Sequence, residues 1–138
     1  FVSGINACSF CYRGHKAIAE IFGVDEGLID QLVDDLNSTK ISAKMKAALA
    51  YAKKLTETPS KMVQADADLL YAAGWDEAAL MNIVEITAVF GMYNRIADGT
   101  GVIASNTKTT LTKKKLGSYI DNLVKFGLKV PEDLKNVV

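Results

Sequence analysis

The sequence predicts an all-α protein folded as a compact helical bundle. Three observations lead there. Apolar residues recur at helical spacing over most of the first hundred positions, no stretch alternates like a half-buried strand, and only two prolines, Pro59 and Pro131, interrupt the 138 residues.

The helices follow in order. Over 9–22, Phe10, Ala17, Ile18, Ile21 and Phe22 keep helical spacing, and Gly23 follows as a stop. Leu28, Ile29, Leu32, Val33 and Leu36 make an amphipathic stripe over 25–36. Ser42 caps a third helix reaching Thr56, with Pro59 just beyond it. A fourth covers 63–73 and ends at Gly74. Asp76 caps the longest, which runs to about Ala97, where D-G-T-G at 98–101 breaks it. Its middle, L-M-N-I-V-E-I-T-A-V-F-G-M-Y, is apolar on most faces and is expected at the centre of the bundle. Residues 104–115 are polar and aperiodic, which reads as a linker, and the Lys113–Lys115 run within them as a solvated face. A short helix over 116–126 and a turn at V-P-E-D-L complete the chain. The expected division is a helical domain over 1–103, with 104–138 as linker and C-terminal helix packed on it.

Hydrophobic residues make up 49% of the chain, as in ordinary globular proteins, so one domain can bury a core. Sixteen basic residues balance sixteen acidic ones, which argues against nucleic acid or an anionic membrane as partner. No apolar run approaches the roughly 20 residues of a membrane span. A cytoplasmic location is expected. The opening F-V-S-G-I-N reads as the end of an apolar element, so further residues are expected before Phe1.

The chemistry sits in one window. N-A-C-S-F-C-Y-R-G-H, residues 6–15, holds both cysteines and the sole histidine. On a helix at about 100° per residue, Cys8, Cys11 and His15 fall on one stripe, with Cys11 and His15 as i,i+4 neighbours. A redox dithiol fits this stripe: a helix N-terminus can stabilise a thiolate, the second thiol can close a disulfide, and His15 can carry the proton. A metal fits less well. A structural zinc site wants four ligands, so a carboxylate, water or partner chain would have to complete it. Covalent haem needs a histidine directly after the second cysteine, where Tyr12 stands. Two buried, inert cysteines are the remaining possibility. Residue chemistry alone leaves open which thiol attacks first.

The stretch S-G-I-N-A-C-S-F-C-Y-R-G-H resembles the signature of the AhpD-like alkylhydroperoxidases of the carboxymuconolactone decarboxylase superfamily, S-x-x-N-x-C-x-x-C-x-x-x-H, and most of all its peroxidase-related branch. T-E-T-P-S-K-M at 56–62, A-A-G-W-D-E-A-A-L at 72–80 and N-R-I-A-D-G-T-G-V at 94–102 resemble that branch in order and spacing. The resemblance covers about residues 1–103. It implies an AhpD-like all-α bundle that oligomerises as a dimer, trimer or hexamer. It also implies reduction of peroxides, with electrons returned by a dithiol donor protein or a small thiol. By the family pattern Cys11 attacks, Cys8 resolves, His15 relays the proton, and the Cys8–Cys11 disulfide is the only redox group, with no added cofactor. The family's relay glutamate, about a dozen residues before the first cysteine, would precede Phe1. The alternatives are a non-enzymatic helical oligomer that senses redox state or holds a metal, and a decarboxylase-type enzyme, although decarboxylases of the superfamily lack the cysteine pair.

Six other positions stand out. Glu85 interrupts the apolar middle of the longest helix and is expected to find a basic partner, reach solvent or join a proton relay. Asn94 and Arg95, near that helix's end, suit capping, ion pairing or lining a site. Phe10 and Tyr12 flank the cysteines and either pack or shape a pocket. Trp75 is expected to anchor an inter-helix corner.

Overall fold

The computed structural model describes residues 1–103 apart from 26 and 38, together with 124 and 125. The expected linker and lysine run lie outside the described residues, as does the last helix except for 124 and 125, which are helical. Every element among the described residues is helical: α1 (Val2–Ile5), α2 (Ser9–Ile21), α3 (Leu28–Asp34), α4 (Ala43–Glu57), a 3-10 turn (Pro59–Lys61), α5 (Gln64–Ala72) and α6 (Glu77–Thr100). None of these helices is long and apolar enough to cross a membrane.

Side-chain caps set the starts of α4, α5 and α6. The Ser42 hydroxyl accepts the Met45 N–H at 3.1 Å, and the Asp76 carboxylate accepts that of Ala79 at 2.8 Å. At α5 the Asp66 carboxylate reaches back to the Val63 N–H at 2.8 Å. Asp66 also meets Lys54 at 2.7 Å, which ties α5 to α4 across the 3-10 turn that Pro59 opens. Trp75 anchors the α5–α6 corner as expected. Its ring N–H donates to the Lys44 carbonyl at 2.8 Å, and the Lys44 ammonium lies 4.4 Å over the ring.

Three elements differ from the sequence expectation. The opening residues form a helix of their own, α1, too short for periodicity to reveal. It packs against α2, α3, α4 and α6, with Val2 and Ser3 buried, so it occupies the middle of the described bundle. Gly4 permits this close approach, since a Cβ there would lie 2.5 Å from Val33 Cγ2. The helix expected over 25–36 is shorter, because Gly27, with φ 86°, precedes Leu28 as its cap. Finally, α6 does not stop at Ala97. Asp98, Gly99 and Thr100 complete its last turn, and Gly101, at φ 70°, ends it.

The long helix α6 is also not enclosed. Thr87, Gly91, Asn94 and Ala97 face inward and are buried. On the other side Ile86, Val89, Met92, Tyr93 and Ile96 are exposed. Glu85 reaches solvent on that outer side.

Candidate functional site

The turn between α1 and α2 builds the site. Ala7 adopts a left-handed conformation, φ 55°. Its N–H donates to the Gly4 carbonyl at 2.9 Å, and the Cys8 N–H to the Ser3 carbonyl at 3.0 Å, which is the Schellman pattern that ends a helix. The same turn makes Cys8 the N-cap of α2 and puts Cys11 one turn on. Asn94 holds the turn from behind. It is 1% exposed, its amide donates to Ser3 Oγ at 3.0 Å, and its oxygen accepts from Asn6 Nδ2 at 2.9 Å. Its role is therefore to position the cysteine turn, whereas Arg95 bonds back to the Gly91 carbonyl at 2.7 Å.

Cys8 and Cys11 come together as free thiols, and Ala97 of α6 packs with them. Cys8 is fully enclosed and Cys11 is 8% exposed. The Cys8 thiol is pushed up to about 11. Burial is the largest cause and contact with the Cys11 side chain the next; the Cys11 backbone amide opposes the rise, and the Asp98 carboxylate adds to it. A helix start was expected to favour the thiolate. At Cys8 desolvation outweighs the helix terminus and the sign is reversed.

His15 stays on α2 one turn beyond Cys11, but its ring turns toward α6. Nδ1 lies 2.7 Å from the Cys11 carbonyl oxygen, and the ring stands edge-on to Phe90 with centroids 4.7 Å apart. A carbonyl only accepts, so Nδ1 carries the proton in this contact and Nε2 is left to exchange one. The imidazole thus meets the backbone of the cysteine turn rather than a sulfur.

Two cavities flank this centre. One, of about 310 Å³, runs between α4 and α6, with Met45, Leu49, Ile83 and Phe90 among its apolar lining and His15 and Phe1 also lining it. The other, of about 420 Å³, is lined by Cys8, Ser3, Tyr12, Asp30, Val33 and Asp34. In it the Tyr12 hydroxyl donates to one Asp30 oxygen and the Lys16 ammonium to the other. Lys16 and then Tyr12 hold Asp30 below the usual carboxylate range, while burial, followed by Asp30, pushes the Tyr12 phenol up. Tyr12 thus shapes a pocket, while Phe10 is exposed. Sequence reading missed this cluster. Its one local signal is that Tyr12 and Lys16 are i,i+4 neighbours. Among the described residues no group of three or more His, Cys, Asp or Glu side chains is arranged to hold a metal.

No protein-family model and no curated protein matches the chain. Solved structures do. An uncharacterized peroxidase-related protein from Silicibacter sp. TM1040 is similar with a TM-score of 0.72 and 27% identity, covering 79% of this chain and 57% of that one. An uncharacterized peroxidase-related protein from Ralstonia eutropha JMP134, described as an alkylhydroperoxidase AhpD core, is similar with a TM-score of 0.70 and 28% identity, covering 76% and 55%. The chain spans a little over half the length of each. Its fold is AhpD-like and peroxidase-related, as the signature around the cysteines implied.

Proposed function

We propose that this AhpD-like chain is a thiol-dependent peroxidase that cycles between the Cys8–Cys11 dithiol and its disulfide. The observation that carries this reading is the asymmetry of two adjoining thiols: Cys8 is enclosed and held protonated, whereas Cys11 has an exposed edge. The less enclosed cysteine suits attack, and the fully enclosed one suits resolution. The Cys11 thiolate attacks the peroxide oxygen, the O–O bond breaks, and an alcohol or water leaves a sulfenic acid on Cys11. The Cys8 sulfur then attacks Cys11 and water departs as the disulfide closes. A dithiol protein or small thiol returns two electrons by exchange, which suits a reducing compartment such as the cytoplasm. His15, fixed through Nδ1, offers Nε2 to carry the proton at the first step. No further cofactor is required. The exposed apolar side of α6 supports assembly as a homo-oligomer.

The test is peroxide consumption with dithiothreitol as reductant. The chain is expected to turn over and Cys11→Ser to be inert. Cys8→Ser, without reductant, is expected to consume about one equivalent and stop. Turnover that survives loss of both cysteines, or thiols that peroxide leaves reduced, overturns the reading.

A further inference from the structure

The last turn of α6 was expected to be a break, and its persistence has a chemical consequence. Because the helix continues through Thr100, Asp98 lies one turn beyond Asn94 on the same face. Asn94 holds Asn6 and Ser3 beside the cysteine turn, and Ala97 packs on both cysteines. Asp98 directly follows Ala97 on the helix, beside the cysteine cluster, and its carboxylate is among the groups that push the Cys8 thiol up. Asp98 is also exposed to solvent, so one group links an enclosed sulfhydryl to water.

We propose that Asp98 is the general base of the disulfide-closing step, taking the proton from the Cys8 thiol as that sulfur attacks Cys11. This rests on the peroxidase reading above. The step balances without a further reagent. The Cys8 S–H bond breaks, the S–S bond forms, the Cys11 S–O bond breaks, and the proton lent to Asp98 leaves with the sulfenic oxygen as water. The need for a base follows from the enclosure of Cys8, which leaves little thiolate available at neutral pH. Among the described residues, the other titratable groups beside Cys8 are Cys11, which is the electrophile of this step, and three across the second cavity. Of those, Tyr12 and Asp30 bond each other, and Lys16 holds Asp30 as well. Asp34 lines the same cavity from α3 and serves as the comparison. From α1 the cavity receives only Ser3 and Gly4.

The experiment is a single turnover of the reduced chain with hydrogen peroxide, with sulfenic acid trapped by dimedone and disulfide read by mass. Asp98→Asn is expected to form sulfenic acid at the unaltered rate and to close the disulfide about 10- to 100-fold more slowly. Its closing rate should climb about tenfold per pH unit between about pH 6 and 8, as attack by free thiolate does, whereas the unaltered chain stays nearly flat. Asp34→Asn should change neither step. Closure in Asp98→Asn that is as fast and as flat with pH as in the unaltered chain overturns the proposal. So does a tenfold climb per pH unit in the unaltered chain, which decides the matter even if the variant fails to fold. If peroxide oxidises neither thiol of the unaltered chain, the peroxidase reading fails first and this one with it.

Discussion

Asn6 and Asn94 are separated by 88 positions and joined by a 2.9 Å hydrogen bond. Asn94 is 1% exposed, and its second bond goes to Ser3. Replacing it leaves two partners without their acceptor or donor. Asn94→Ala is expected to cost about 2–3 kcal/mol, read by urea unfolding. Asn94→Leu should be no better, because filling the volume does not satisfy the orphaned groups. A loss under about 0.5 kcal/mol would mean that water replaces the amide.

The two thiols should react in a fixed order. Iodoacetamide at neutral pH is expected to modify Cys11 before Cys8, as peptide mass mapping would show, because Cys11 has an exposed edge and Cys8 has none. Equal labelling would refute this order. Stability carries the same signature at alkaline pH. The Cys8 thiol is raised from 9.0 to about 11, so the folded state binds this proton more tightly than the unfolded one. Its contribution is complete below about pH 9 and lost as pH rises toward 11. Thermal unfolding across that window should show the decline, and Cys8→Ala should flatten it.

Much of this arrangement is legible in the residue order. Ser42 and Asp76 cap their helices where cap chemistry predicts, and the C-x-x-C spacing does bring the thiols together at a helix start. What could not be read has a physical cause in each case. One helical turn, α1, shows no period. Asp98 and Gly99 look like a break because glycine is a poor helix former, yet the final turn holds, with the Thr100 hydroxyl bonding the Ile96 carbonyl at 2.7 Å. Spacing places His15 beside Cys11 but does not choose its rotamer, and the ring packs on Phe90 instead. Asp30 finds Tyr12 across 18 positions, a pairing that only the α2–α3 connection creates.

Ala7 is the one non-glycine residue at positive φ among the described residues, and it stands directly before Cys8. A left-handed alanine costs about 1–2 kcal/mol, offset in part by the greater freedom glycine would have in the unfolded chain. Ala7→Gly is therefore expected to raise stability by about 0.5–1 kcal/mol, seen as a higher melting temperature. A lower one would show that the turn needs the alanine methyl for packing.

Acid should act on two carboxylates. Lys16, then Tyr12, lowers Asp30; Lys54, then the Val63 amide, lowers Asp66. Groups lowered in the folded state contribute above their unfolded value, about 3.9, and the contribution disappears as pH falls through the lower folded values. Stability should thus decline below about pH 4, and Lys54→Met should remove part of that decline. An acid limb identical in Lys54→Met would mean that the Lys54–Asp66 pair is fully screened by solvent.

The outer side of α6 carries the last prediction. Val89, Met92 and Ile96 lie within a narrow arc of one helix, flanked by Ile86 and Tyr93, and all five are exposed. Single exposed apolar residues are ordinary, but a continuous stripe over three turns is what a partner helix covers. If a second copy covers it, a charge at its centre should divide the assembly. Ile96→Lys is expected to sediment as one chain while the unaltered protein sediments as a multiple. Since Ile96 is turned away from the cysteines, the variant's thiols should still be oxidised by peroxide. A single-chain mass for both proteins would remove the assembly and leave the stripe to a partner of another kind. A multiple for both would place the interface elsewhere on the surface.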